Sequence, residues 1–276
     1  MITYLEVIYL NKLEMLKDLL SNFSGAVIAY SGGVDSTFLA VVAQEVLGER
    51  VLSVTAVSPT YPEHQLSEAK ELAARFGINH MIITTNEFAD PNFTENPPER
   101  CYYCKKSLFL QIKKIAEEKG NWVLIDGANK DDLSDYRPGH RATQELGVRS
   151  PLQELAFTKQ DIRDYSKEMS LPTWDKPAYA CLASRVPYGN KITPEVLKRI
   201  ELAESFLTSL GLIQIRVRDH FPIARIEIGP AELDKTWQNR EIISKELHRI
   251  GYPYVTLDMD GLRSGSMNEI LKVIER

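Results

Sequence analysis

One short run constrains this chain more than any other: Ser31-Gly32-Gly33-Val34-Asp35-Ser36. An apolar stretch, Ala26-Val27-Ile28-Ala29-Tyr30, precedes it, and a helical pattern, Thr37-Phe38-Leu39-Ala40-Val41-Val42, follows it. The order is strand, glycine-rich turn, helix N-terminus. The first turn of a helix carries free backbone N–H groups and the positive end of the helix dipole. Two glycines let the main chain approach an anion closely, and Ser31 and Ser36 flank them with hydroxyls. The run therefore reads as a phosphate cradle built from backbone. It is not a Walker A loop, because the Gly-x4-Gly-Lys-Ser/Thr spacing is absent. The plainer alternative is an ordinary tight strand-to-helix turn, which a bare Gly-Gly would favour.

The surrounding pattern predicts the architecture. Leu10, Leu13, Leu16, Leu19 and Leu20 mark an amphipathic opening helix. Strands are expected at 26–30, 51–57, near 81–83 and at 122–125, with helices at 36–47, from Pro62 to Gly77, from about Cys101 to Gly120 and at 159–169. This alternation predicts an α/β fold, a parallel doubly wound sheet with helices on both faces. Ligands of such sheets sit beyond the C-terminal strand ends. The glycine-rich run, Asp126-Gly127 and the loop after Val57 all fall on that edge. From about Lys191 the pattern changes to a helix (194–210), strands at 214–218 and 224–228, a long helix (231–249) and a strand at 254–257. That predicts a small C-terminal α+β domain. The expected domains are 1–175, a linker at 176–190 carrying Cys181, and 191–276.

A length of 276 residues suffices for one large domain or two modest ones. The net charge of −5 argues against broad nucleic-acid binding. No apolar run is long enough to span a bilayer, and the first residues lack the basic stretch of a signal peptide, so a cytoplasmic location is expected. There are three cysteines, an odd number, and a disulfide framework is not expected.

Several constellations carry chemistry. Cys101 and Cys104 form a Cys-x2-Cys pair at a helix start, where the positive dipole end depresses thiol pKa values. Cys181 follows some eighty residues later. Zinc normally takes four protein ligands, and no fourth is evident nearby. Three cysteines suit a [4Fe–4S] cluster with one iron left open; three reduced thiols, two packed under a helix, are the bland alternative. The segment Asp126 to Asp132 reads either as a Mg²⁺ and phosphate site or as a polar loop. In Asp135-Tyr136-Arg137-Pro138-Gly139, an Arg137 fixed by the adjacent proline suits a carboxylate or phosphate partner. Ser184 and Arg185, beside Cys181, suit phosphate, and Pro187-Tyr188-Gly189 also reads as a hinge. Arg216 and Arg218 alternate on one strand and share a face, as an anion site or as a solvated surface that Glu227 pairs with. The five histidines are scattered without ligand spacing.

The six-residue run resembles the SGGxDS pyrophosphate loop of the N-type ATP pyrophosphatases, which split ATP between the α and β phosphates and leave a substrate adenylated. More motifs follow in order: Cys101-Tyr102-Tyr103-Cys104-Lys105-Lys106, Asp135 to Gly139, Gly147-Val148-Arg149-Ser150-Pro151-Leu152, Cys181 to Gly189, Arg216-Val217-Arg218 and Tyr254-Val255-Thr256-Leu257-Asp258. Over nearly the whole chain this set resembles the LarE-type ATP-dependent sulfur transferases. The resemblance implies a first domain of the PP-loop adenine nucleotide hydrolase type and a C-terminal domain for substrate binding and oligomerisation. It implies ATP held by Ser31, Gly32, Gly33, Asp35, Ser36 and Gly127, with Asp35 on Mg²⁺. A phosphate, that of a small nucleotide substrate, would be bound by Ser184, Arg185, Arg216, Arg218 and Arg137. Such enzymes adenylate a pyridinium biscarboxylic acid mononucleotide and let sulfur displace AMP, in making the nickel-pincer cofactor of lactate racemase. With all three cysteines present, the chain resembles the subgroup in which Cys101, Cys104 and Cys181 hold a [4Fe–4S] cluster whose open iron carries an added sulfide. The resemblance also implies a sulfide or other sulfur donor and a homo-oligomer. Competing readings are a tRNA thiolation enzyme of the same superfamily, an ammonia-using PP-loop synthetase, and a non-enzymatic iron–sulfur or nucleotide carrier.

Overall fold

The computed structural model describes residues 4–134, 138–177, 180–263 and 265–274; Arg137, with Asp135 and Tyr136, lies outside these described residues, as does the side chain of Leu10. The chain divides into two compact units. One comprises Met1–Ser58, Glu63–Glu87 and Glu99–Tyr179, the other Pro59–Pro62, Phe88–Pro98 and Ala180–Arg276. The second unit thus recruits two short segments that the sequence pattern assigns to the first half.

The first unit runs α1 (Tyr4–Ser21), β1 (Ala26–Ala29), α2 (Val34–Leu47), β2 (Val51–Val57), α3 (Glu63–Arg75) and β3 (His80–Thr84). In the second unit's share of this half lies α4 (Pro91–Thr94). The first unit resumes with α5 (Arg100–Glu118), β4 (Val123–Ile125), α6 (Gly139–Glu145), α7 (Pro151–Glu154) and α8 (Lys159–Glu168). Its four strands are parallel in the order β3-β2-β1-β4. A single parallel bridge from Ile125 to Arg149 continues the ladder past β4.

Residue alternation along β1 explains the two layers of helices. Ala26 and Ile28 join a core with Leu16 and Leu20 of α1, Phe38 and Val42 of α2, Ala69 of α3 and Ile162 of α8. Val27, between them, joins Leu52, Val54 and Leu124 against Phe109, Ile112 and Ala116 of α5. Successive strand side chains point to opposite faces, so one strand seeds both cores. The chain moves outward from β1 to β3 and then returns to β4 on the other side of β1. The strand order therefore reverses between β1 and β4, which opens a crevice at their C-terminal ends.

The second unit holds α9 (Pro194–Ser209), β5 (Ile215–His220), β6 (Ile223–Ile228), α10 (Leu233–Gln238), α11 (Arg240–Ile250), β7 (Tyr254–Leu257) and α12 (Glu269–Ile274). β5 and β6 form an antiparallel hairpin, and β7 lies parallel to β6. Ile215, Val217, Ala224, Ile226 and Ile228 point to one face, packing on Ala203 and Leu207 of α9 and on Ile243 and Leu247 of α11. The long helix expected over 231–249 is broken. Asn239 turns its amide back onto the Lys235 carbonyl at 2.8 Å, ending α10 one residue before α11 begins. An asparagine that bonds its local backbone competes with helix continuation.

Phe157 anchors the start of α8. It is fully buried, with its ring centroid 5.9 Å from those of both Phe38 and Tyr165. Phe157→Ala is expected to cost about 3–5 kcal/mol of stability, read as a lower urea midpoint at unchanged slope.

Candidate functional site

The glycine-rich turn leaves β1 and enters α2. Gly32 sits at φ +67°, in the left-handed region, and a Cβ there would come within 2.9 Å of the Ala69 Cβ on α3. Only glycine meets both demands. Ser31 and Ser36 tie the turn together: their hydroxyls lie 3.1 Å apart, and Ser36 Oγ accepts the Ser31 amide at 3.2 Å. Gly33 occupies the N-cap position of α2 and offers no side-chain cap to the backbone donors of the first turn. On the neighbouring strand tip, a Cβ on Gly127 would lie 3.0 Å from the Ser36 amide nitrogen. The tip of β4 is thus pressed against the first turn of α2.

Asp35 stands in that first turn. Its Oδ2 accepts a hydrogen bond from Lys159 Nζ at 2.6 Å, and Asn129 Nδ2 lies 3.4 Å from Oδ1. Both side chains of the ion pair are partly exposed, Lys159 at 31% and Asp35 at 24%. A carboxylate in this position is a hard oxygen donor suited to Mg²⁺. Asp126, buried beside it, is used internally: Oδ1 accepts from the Ala128 amide at 3.1 Å and from Ser150 Oγ at 2.7 Å. Ser150 follows the Arg149 bridge that extends the sheet. Lys176 donates to the Gly32 carbonyl at 3.2 Å and to Glu68 at 2.6 Å. The motif pattern singles out neither Lys159 nor Lys176, and Asn129 only as a member of the Asp126–Asp132 segment. Thr158-x-x-Asp161 is a capping box, which marks a helix start but says nothing of where its lysine reaches.

Cys101 and Cys104 lie in the first turns of α5, in the first unit; Cys101 is exposed and Cys104 half-buried. Tyr102 between them is buried and donates its hydroxyl to Glu145 Oε2 of α6 at 2.7 Å, with the Arg141 guanidinium 3.8 Å above its ring. Lys106 donates to the Tyr102 hydroxyl at 2.8 Å and to the same Glu145 oxygen at 3.1 Å; the hydroxyl first, and then the carboxylate, raise the Lys106 ammonium above its ordinary pKa. The second Tyr side chain packs edge-on to the first at 5.2 Å. The cysteine-bearing turn is therefore clamped to α6 through its tyrosine.

Cys181, exposed, opens a short 3-10 turn, Leu182–Arg185, in the second unit. Arg185 is expected to meet phosphate, but its side chain is only 2% exposed and its donors are engaged otherwise. It grips both oxygens of Glu204 on α9 at 3.0 and 2.9 Å. Its remaining terminal nitrogen bonds the carbonyls of Ala180 at 2.6 Å and Cys181 at 3.0 Å, and Ser184 Oγ at 3.0 Å. Arg218 adds a bond to the Ser184 carbonyl at 3.1 Å, and its second nitrogen binds Glu227 at 2.7 Å and Ser266 at 2.9 Å. Glu227, fully buried, also takes Arg225 at 3.0 Å. Arg216 shares the charged face of the hairpin with Arg218; burial, and then the nearby Arg185 charge, pull its guanidinium down to about 10. Ser184 Oγ donates to the Cys181 carbonyl at 2.8 Å. Among the described residues, no three His, Cys, Asp or Glu side chains are gathered as one metal-ligand set, and no helix is long and apolar enough to cross a membrane.

Removing one partner of a buried ion pair strands the other. Arg185→Met is expected to cost about 3–5 kcal/mol, and pairing it with Glu204→Met is expected to restore part of that loss, measured by chemical denaturation.

Comparison with known proteins agrees with this geometry. A family model described as NAD synthase matches residues 10–99, a stretch that contains the glycine-rich turn. An uncharacterised protein of Synechocystis is 45% identical, covering 95% of this chain and 98% of that protein. An uncharacterised protein of Methanocaldococcus jannaschii is 34% identical over 94% of this chain and 100% of its own length. Pyridinium-3,5-bisthiocarboxylic acid mononucleotide synthase of Lactiplantibacillus plantarum is 37% identical, covering 91% of this chain and 92% of that enzyme. With a PP-loop at the reversal of a parallel sheet and this likeness from end to end, the chain belongs to the LarE-type family of ATP-dependent sulfur transferases.

Proposed function

We propose that this protein adenylates the carboxylates of a pyridinium biscarboxylic acid mononucleotide and replaces AMP with sulfur, giving the thiocarboxylate used in nickel-pincer cofactor synthesis. One observation carries the adenylation step: the phosphate cradle of Ser31 to Ser36, with Asp35 in its mouth and Gly127 against its helix, lies where the strand order reverses. The substrate assignment is supported by the relative of Lactiplantibacillus plantarum, whose length this chain matches almost throughout.

The chemistry follows from charge. A substrate carboxylate oxygen bonds to the α-phosphorus, and the bond from that phosphorus to the bridging oxygen breaks, so pyrophosphate leaves with the electron pair. Backbone N–H groups of Gly33 and the α2 start stabilise the negative charge that develops there. Asp35 holds the Mg²⁺ that travels with ATP. In the second unit, Ser184, Arg216 and Arg218 meet the phosphate of the nucleotide substrate, and Arg185 holds the turn that presents Ser184. Arg137 is proposed as a further anion contact. A sulfide-level sulfur then bonds to the acyl carbon, the bond from that carbon to the phosphate oxygen breaks, and AMP departs with the electron pair.

Cys101, Cys104 and Cys181, none of them in a disulfide, are the donor type that an iron–sulfur cluster takes, and we assign such a cluster to them. With three protein ligands it would supply an open iron on which an added sulfide can ride. The protein is further proposed to act in the cytoplasm as a homo-oligomer.

Incubation with Mg-ATP and the biscarboxylate nucleotide is expected to release pyrophosphate in proportion to nucleotide added. Cys181→Ala is expected to keep that release and lose thiocarboxylate. After anaerobic reconstitution about four iron and four acid-labile sulfide per chain are expected, lost in Cys101→Ala; no iron uptake by the unaltered chain would remove the cluster from the scheme.

A further inference from the structure

We propose that the groove between the edge of β7 and helix α11 docks an extended acidic segment of a partner protein, which joins the three-stranded sheet as a further strand. The groove lies wholly within the second unit and encloses a cavity of about 640 Å³, within the range of ligand sites. Ile226 and Ile243, both buried, form its floor, and Trp237, 63% exposed, stands at its rim. Val255, Thr256 and Leu257 are consecutive, and all three line it. Neighbouring strand residues face opposite sides of a sheet, so the wall they share is the edge of β7. That edge has hydrogen bonds to offer. Tyr254 and Asp258 donate their amides to the carbonyls of Pro222 and Ile226 at 3.2 and 2.9 Å, on the β6 side. Alternate residues of a parallel strand bond to one neighbour, so Val255 and Leu257 turn their N–H and C=O groups to the other side. Among the described residues no strand pairs with β7 there. The opposite edge of the same sheet differs, because the Val217 amide of β5 donates to Glu204 Oε1 at 2.9 Å.

An added strand bonds to Val255 and Leu257 and turns every second side chain toward α11. Charge then selects the occupant. Arg240, Glu241, Lys245 and His248 of α11 line the groove. Arg240 pairs with Glu241 at 3.2 Å and lies 5.3 Å over the Trp237 ring, so the one acid of this wall is answered locally. Lys245 and His248 stand three residues apart, on one face of the helix. His248 Nδ1 donates to the Tyr252 carbonyl at 2.8 Å, which holds the ring in place. The chain as a whole carries a net charge of −5, and this wall of three basic side chains against one acid is a local exception. A second copy docked here edge to edge brings the same cations toward these. An acidic strand brings carboxylates instead, and its backbone meets the bonds that β7 presents. The docking surface stands apart from the adenylation reading and does not rest on it.

The test is fluorescence anisotropy of the full chain at low salt, with a fluorescein-labelled octapeptide of alternating Glu and Val as the probe. The comparisons are an octapeptide of alternating Lys and Val, and two acidic peptides N-methylated on every Glu or on every Val. The acidic probe is expected to bind and the basic one not to. Only one set of alternate amides can face β7. One N-methylated peptide is therefore expected to bind about tenfold or more weakly, and the other like the parent. Lys245→Glu is expected to weaken binding of the acidic probe about tenfold. Val255→Pro removes an outward N–H without losing a bond to β6, and is expected to weaken it about fivefold. Equal binding of the two charge types, no binding of the acidic probe, no effect of N-methylation in either register, or no effect of Lys245→Glu would overturn the proposal. Should Val255→Pro fail to fold, the N-methylated pair probes the same bonds from the peptide side. If sedimentation shows an oligomer of the unaltered chain that comes apart in a folded Val255→Pro, the groove belongs to a second copy and the proposal falls.

Discussion

The closeness of Gly127 to the first turn of α2 is the contact on which the ATP site depends. A Cβ on Gly127 would stand 3.0 Å from the Ser36 amide nitrogen, so a side chain there would have to push the two apart. That approach exists because β4 returns to the far side of β1 after the chain has wound outward through β2 and β3. The reversal opens a crevice, and the missing Cβ closes its floor, bringing Asp126, Asn129 and the cradle into one neighbourhood. Gly32 answers the same need on the other side, against Ala69 of α3. Two glycines on neighbouring strand ends therefore let three elements meet backbone to backbone around the phosphate cradle.

The ion pairs of the molecule divide by burial, and the division follows their roles. Asp35–Lys159 is partly exposed, in the range where a pair contributes about 0–1 kcal/mol. Such a pair can open and re-form without disturbing the fold. Arg185–Glu204 and Arg218–Glu227 are nearly or wholly enclosed, where breaking one partner costs about 3–5 kcal/mol. The Arg185–Glu204 pair is a fixed part of the second unit and holds the Cys181 turn.

Much of this was legible in the sequence, for local reasons. Apolar alternation and glycine stops placed the parallel strands within a residue or two, because hydrophobic periodicity decides which face of an element is buried. The cradle was legible because its turn, hydroxyls and carboxylate are consecutive. Other features depend on chain segments that sequence proximity does not connect. Lys159 lies 124 residues from Asp35 and carries no signature beyond a helix cap. Arg185 reads as an anion ligand until Glu204, on α9, is seen to occupy it. Glu227 could be paired with an arginine on paper, yet the strand register sets it opposite Arg216 while its bonds run to Arg218 and Arg225. The break at Asn239 was hidden because the apolar period carries on through it.

The anchorage of the Cys181 turn has one property that its list of bonds conceals. Arg185, Arg218 and Ser184 hold residues 180, 181 and 184 by their carbonyl oxygens. Main-chain oxygens are the same whatever side chain a residue carries. The turn therefore keeps its place irrespective of the state of the thiol, whether bare, metal-bound or chemically spent. Position and side chain at residue 181 are uncoupled, so a change at the sulfur would leave the scaffold around it in place.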